Sequence, residues 1–329
     1  RFWAEFISPQ EIVEKALPLL SEFSAGVSAA VPAGSPTDEN ARAFRDIKAA
    51  GVELTFWPLL EREQGYFPNE ANVPAYAEMV HNLVEWAESH DVLPEMVAVD
   101  LELPLEQISL LLGAERGSQA KTALGMLREN LDPERYREAK SGLIELNSWI
   151  QGRGIKTLVA VLPWVAVELF GTGETVQDMM ETPVAGIDWD LISPMMYVSM
   201  FEGMTAGRIS AFDANSLVYE TGVRLRNKYG KRAAVSLGVT GTGVLGNEPT
   251  FETVEELMVG VEASLAAGVR DISIYNLEGV VSRGNPRVWL EALRAARPRI
   301  PEKSRKVVRT LGALRNIYPV LSRLKDRLS

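Results

Sequence analysis

Eight short apolar runs, each followed by a longer stretch with helical spacing, recur along this chain, and the alternation limits its fold more than any other feature. The runs are FWAEFIS (2–8), GVSAAVPA (26–33), VELTFWPLL (52–60), EMVAVDLE (95–102), IKTLVAVLPW (155–164), DLISPMMYV (190–198), AAVSLGVT (233–240) and DISIYNLEG (271–279). Amphipathic segments such as SPQEIVEKALPLLSEF, VPAYAEMVHNLVEWAESH and TVEELMVGVEASLAAG lie between them. Strands that alternate with helical patterns read as parallel βα units, because a parallel pair needs a long crossover. Glycines end several helical stretches just before the next strand, in KAAGVEL, QGRGIKT and AAGVRDI. There a left-handed cap closes the helix and returns the chain to the sheet.

Eight such units predict a (β/α)8 TIM barrel. A doubly wound sheet usually opens with a glycine-rich first turn, whereas the first strand here runs into FISPQE. The expected division is a barrel over 1–300 and a basic helical extension over 301–329. A loop and helix insertion, starting LPLEQISLLLGAERGS, is expected after strand four.

With 329 residues, 46% of them hydrophobic, the chain can bury a large core. No run approaches the roughly 20 apolar residues of a membrane span, and a formal charge of −10 argues against wholesale nucleic-acid binding. The chain opens Arg1-Phe2-Trp3, without an initiator Met or a basic-then-apolar leader, which predicts a processed or trimmed chain and leaves the compartment open. Residues 301–329 carry eight Lys or Arg against Glu302 and Asp326. This tail is expected to pack as a helix on the acidic body, or to make a surface or partner contact.

In a barrel of this kind the active site lies at the carboxyl ends of the strands. The polar and aromatic residues expected there are Glu5, Trp57, Glu61, Asp100, Glu102, Trp164, Tyr197, Asn276 and Glu278. Cysteine is absent, which removes thiolate ligands and nucleophiles, and no predicted strand ends in lysine. The only histidines, His81 and His90, lie in one helical stretch, so a His-based metal centre or Ser-His relay is poorly supported. A carboxylate-only site would suit magnesium or calcium; no metal or other cofactor is expected.

Acids with aromatic walls suit sugar chemistry, in which one carboxyl protonates the leaving oxygen and a second group stabilises or attacks the anomeric carbon. Strand alternation sends Asp100 and Glu102 to one side, above the small Ala98. Two near, partly desolvated like charges raise the pKa of one member. The plainer reading is that the pair merely ends a strand.

The stretch EMVAVDLE resembles the fourth-strand motif DxxDxDxE of the family 18 (chitinase-like) glycoside hydrolases. That resemblance implies Glu102 as proton donor, Asp100 as the aspartate that steers the substrate's N-acetyl group, and Tyr197, in SPMMYV, as the tyrosine beside it. It also implies Tyr275, in ISIYNLEG, at the place of the tryptophan floor of the sugar pocket. Glu95 and Ala98 stand where the first two aspartates belong, and Val198 replaces the aspartate after the tyrosine. The pattern therefore fits a distant relative better than a true chitinase and leaves room for a second protein carboxylate. Glu278, sharing strand parity with Asn276, and Glu5, on strand one, are the candidates.

The resulting expectation is a glycosidase acting on a carbohydrate, with Asp100, Glu102, Tyr197 and Glu278 catalytic and Glu5, Trp57, Trp164, Tyr275 and Asn276 binding substrate. Tyr66 is a further groove candidate, and Trp3 and Trp86 are assigned to packing. Two alternatives stand beside it. The loop GVTGTGVLGNEPT after strand seven fits a phosphate site of a phosphosugar isomerase or lyase, and the lost motif residues fit a non-catalytic glycan-binding barrel.

Overall fold

A computed structural model of the chain describes residues 1–108, 125, 129–171, 173–204, 209–243, 246 and 249–313. Eight parallel strands close into a barrel in sequential order: β1 (Phe2–Ala4), β2 (Val27–Pro32), β3 (Leu54–Leu59), β4 (Met96–Leu101), β5 (Lys156–Val161), β6 (Leu191–Met196), β7 (Ala234–Gly238) and β8 (Asp271–Tyr275). β1 closes the ring on β8 through the pairs Phe2 with Ile274 and Trp3 with Tyr275. The fold is the (β/α)8 barrel that the alternation predicts.

The strands are shorter than their apolar runs, and local chemistry explains where they stop. β1 ends at Ala4 because Ser8 and Glu11 form a reciprocal capping box that starts the helix Pro9–Lys15. β5 ends at Val161 because Pro163 takes the first turn of the helix Pro163–Glu168. β8 ends at Tyr275 because Asn276 caps the helix Leu277–Val281, accepting from the Gly279 amide at 2.9 Å.

Period-two alternation divides each strand between two environments. On β4, Val97, Val99 and Leu101 face the helices Val73–Ser89 and Pro133–Gln151, while Met96 and Ala98 face the lumen. Trp3, Trp57, Leu158, Met195 and Tyr275 share that interior. Trp3 packs edge-on against Trp57, with ring centroids 4.8 Å apart, and donates through Nε1 to Ser236 Oγ at 3.1 Å. The lumen is thus a filled core up to the layer where the acids begin.

His81 packs on Trp149 and His90 on Trp86, at centroid distances of 4.2 and 5.0 Å, so both histidines serve helix packing. The described start of the basic extension is docked on the barrel. Ser304 is buried and donates to Asp213 Oδ1 at 2.6 Å, and Val307 and Leu311 cluster with Val167. Residues 314–329, and the 109–118 part of the expected insertion, lie outside the described residues.

The loop after β7 and the helix after β8 meet backbone to backbone. A Cβ on Gly279 would overlap Thr240 C and O and Gly241 N, and one on Gly241 would overlap Gly279. Gly279→Ala is therefore expected to lower stability by about 2–3 kcal/mol, seen as a lower urea midpoint at unchanged slope. Gly34→Ala, with open space around its Cβ, should change the midpoint by less than about 0.5 kcal/mol.

Candidate active site

The inward parity of β4 carries past Met96 and Ala98 to Asp100, which is 4% exposed, and on to Glu102, just beyond the strand end and partly exposed. On β1 the same parity runs from Trp3 to Glu5, also buried. Glu5 accepts on both carboxylate oxygens, from Tyr66 Oη at 2.8 Å and from Tyr275 Oη. Tyr275 stacks on Tyr197, with centroids 5.4 Å apart and planes 24° from parallel, and presents an edge to Trp57 at 6.5 Å. Five residues expected at the site thus gather with Tyr66 at the barrel mouth: Glu5, Asp100, Trp57, Tyr197 and Tyr275. Glu102 stands directly above Asp100 on the chain.

The acids act on one another. Burial pushes Asp100 from 3.8 up to about 8, and the negative charge of Glu5 adds to that rise. Burial also lifts Glu102 well above the ordinary carboxylate range, followed by the charges of Asp100 and Glu5. Tyr197 is raised by burial and then by all three acids. Tyr66 is raised likewise, by burial and then by Glu5, so Tyr66 and Tyr197 stay protonated. Because the acids interact, they titrate as a set rather than one by one.

Two polar atoms in this layer lack a partner among the described residues. Asp100 Oδ1 and Trp57 Nε1 are both buried without a hydrogen bond. Buried polar groups are nearly always paired, so an unpaired acceptor and donor in one lumen mark a place where a ligand or water is accommodated.

Four residues expected at the strand ends sit differently. Glu278 does not share a strand face with Asn276, because it lies on the helix Leu277–Val281. Its Oε1 accepts from the backbone amides of Glu5, Phe6 and Ile7 at 2.6, 2.5 and 3.2 Å, so it holds the β1 loop instead of facing Glu102 across the mouth. Nor does it pair with Arg283, whose guanidinium donates to the carbonyls of Thr240, Phe251 and Glu252. Asn276 is fully buried, caps its helix and donates to the Thr242 carbonyl at 3.2 Å. Trp164 is 43% exposed on the helix Pro163–Glu168 and takes no place in the lumen. Glu61 is exposed just before the turn Arg62–Gln64.

Sequence reasoning missed the pairing of Tyr66 with Glu5. The available signal was Gly65, at φ 105°, which turns the β3 loop back and brings the following aromatic over the mouth. Trp3 was assigned to packing, and its inward parity two residues before Glu5 was a pointer to that acid.

The glycine loop after β7 borders a cavity of about 470 Å³ lined by Phe6, Gly241, Thr242, Gly243, Glu278, Gly279 and Ser282. Among the described residues this lining has a carboxylate and no Lys or Arg, a charge that disfavours the phosphate site weighed as an alternative there. A larger cavity, of about 660 Å³, lies elsewhere, between the helices Val73–Ser89 and Pro133–Gln151. Among the described residues, no three His, Cys, Asp or Glu side chains form a group that could hold a metal ion, and no helix is long and apolar enough to cross a membrane.

No family model matches the chain, and no curated protein does. Solved structures do match. The glycoside hydrolase domain of PgaB (BpsB) from Bordetella bronchiseptica is 10% identical at a TM-score of 0.55, over 89% of this chain and 98% of that one. An endo-beta-mannanase/endo-beta-glucanase from Prevotella bryantii is 9% identical at 0.51, over 91% of this chain and 48% of that one. An L-ribulose 3-epimerase is 13% identical at 0.50, over 98% of both. At these identities the likeness establishes the fold, a (β/α)8 TIM barrel of the kind found in glycoside hydrolases and also in an epimerase.

Proposed function

We propose that the chain is a glycoside hydrolase or transglycosylase that cleaves an oligo- or polysaccharide by carboxylate acid/base chemistry, with Glu102 as the proton donor. The observation that carries this reading is the raised pair on β4, Asp100 at about 8 and Glu102 well above the ordinary range, inside an aromatic-lined mouth. A carboxyl that keeps its proton near neutrality is suited to general acid work.

In this reading Glu102 gives its proton to the glycosidic oxygen as the bond to the anomeric carbon breaks. Glu5, oriented by two phenols, is the second carboxylate, which stabilises or attacks that carbon. Asp100 supports Glu102 through the charge between them. Asp100 Oδ1 and Trp57 Nε1, buried and unpartnered among the described residues, are the polar atoms that a sugar hydroxyl would satisfy once the mouth is filled. Tyr197, stacked on Tyr275, borders the cleaved sugar. The resemblance to family 18 supports Asp100, Glu102 and Tyr197 in these roles. Glu95, Ala98 and Val198 replace acids of that family's motif, so a route through Glu5 fits this chain better than one assisted by the substrate.

Glu102→Gln is expected to lower kcat by about 10²–10⁴-fold on whichever member of a glycan panel the protein turns over, with the fold checked by circular dichroism. Undiminished turnover would remove Glu102 from the role. Since the proton on Glu102 is the reactive species, kcat/KM should fall as pH rises through its raised value. In Glu102→Gln that basic limb should disappear.

Stability has its own pH signature. The folded state holds the Asp100 proton up to about 8, while the unfolded chain releases it near 3.8. The folded state therefore binds more protons across that window, and stability falls as pH rises through it. Asp100→Asn should flatten the dependence and raise the melting temperature above pH 8, measured by thermal scans across the window. A wild-type Tm that climbs from pH 4 to 8, relative to this variant, would contradict the assignment.

A further inference from the structure

We propose that the cavity bordered by the loops after β1, β7 and β8 is an additional sugar subsite, which takes a neutral saccharide unit next to the one held at the acids. The proposal rests on the hydrolase reading for what lies beside it, and its own binding can be measured without turnover.

Phe6 is the first support. It follows Glu5 directly in the chain, yet it turns outward and is 50% exposed. A large aromatic so exposed beside a buried acid offers a flat apolar face of the kind that sugar rings stack on. The backbone beneath it is fixed, because one carboxylate oxygen of Glu278 accepts from three consecutive amides, those of Glu5, Phe6 and Ile7. The exposed ring is therefore presented by an anchored loop, and a ligand need not order it first.

The cavity is the second support. Its volume of about 470 Å³ falls within the roughly 300–1,000 Å³ typical of small-molecule sites. Phe6 meets there the polar side chains of Thr242, Ser282 and Glu278. Glu278, the acid that anchors the loop, also lines the cavity. An aromatic face with hydroxyls and a carboxylate, and without a cation in the lining, fits a polyhydroxylated neutral ligand and disfavours an anion. The facing pair Gly241 and Gly279, packed too closely for any Cβ, gives this cavity a backbone floor.

The consequence is chain length. A substrate that fills both the acid cluster and this cavity spans at least two sugar units, which ties the protein to oligo- or polysaccharides rather than simple glycosides.

Chito-, manno- and cello-oligosaccharides of increasing length, titrated calorimetrically into Glu102→Gln protein, provide the test, with inorganic phosphate as the competing probe. Affinity is expected to rise with length in at least one series. Adding Phe6→Ala should weaken the longest member by roughly five- to tenfold and leave the shortest unchanged, and Phe6→Trp should restore the difference. Equal weakening at every length, no weakening, or no oligosaccharide binding would overturn the subsite. So would phosphate that displaces the longer oligosaccharides. Failure of the hydrolase reading is separately visible, as wild-type turnover that survives Glu102→Gln while the dependence on Phe6 persists.

Discussion

Keeping Asp100 inside a closed barrel is costly, and the arrangement of the mouth follows from that cost. A carboxylate taken out of water loses several kcal/mol of solvation unless a partner replaces it. Among the described residues Asp100 Oδ1 is unpartnered, and the charge that acts on Asp100 is that of another acid, Glu5. The physical response is retention of the proton, which is why Asp100 and Glu102 both shift upward. Closure of the ring between β1 and β8 brings Glu5 to the same mouth. Without closure the like charges would be spread along an open edge, and the shifts would be lost to solvent.

Glu5 meets the same problem differently. Its two oxygens take hydrogen bonds from phenols, and its backbone is gripped by Glu278. Tyr66 comes from the β3 loop, Tyr275 from the end of β8 and Glu278 from the helix after it. Two regions distant in sequence from Glu5 thus converge on this one residue, on its side chain and its backbone. Such over-determination restrains a group whose position matters, whereas a surface carboxylate is left to water. The two acid environments are complementary, one favouring a retained proton and the other supplying oriented donors, and that division is what paired-carboxylate chemistry requires.

Legibility in the sequence followed the range of the determining interactions. The barrel was readable because each βα unit announces itself within a few dozen residues through alternation, caps and closing glycines. Asp100 and Glu102 were readable because β4 runs regularly from Met96 to Leu101, so parity counted from Ala98 holds. Glu278 was misplaced because the same counting was carried past Tyr275. The stop was encoded locally, since Asn276 followed three residues on by Gly279 is a capping signal, and it lost to a continuous apolar run. The fifth strand was overextended in the same way, with Pro163 marking a helix start inside what looked like strand. For the partnership of Tyr66, Tyr275 and Glu5, Gly65 signalled a turn but not which residues meet across it. That partnership joins positions 5, 66 and 275 through barrel closure, and no local pattern encodes which loop tips meet.

A barrel that only bound sugar would gain little from burying its acids this way. Neutral amides or hydroxyls in place of Asp100 and Glu102 would recognise hydroxyl groups equally well without the desolvation penalty. Stability alone would favour that replacement, since removing a buried unpaired charge usually helps the fold. The mouth instead keeps ionisable acids where burial and mutual repulsion raise their proton affinity, and it surrounds them with tyrosines that stay protonated alongside. Proton transfer is the process that benefits from a side chain poised to give up a proton near neutral pH. The desolvation of this lumen is thus consistent with the proposed proton transfer, and it acts through particular atoms: the Oδ1 of Asp100 and the raised carboxyl of Glu102 above it.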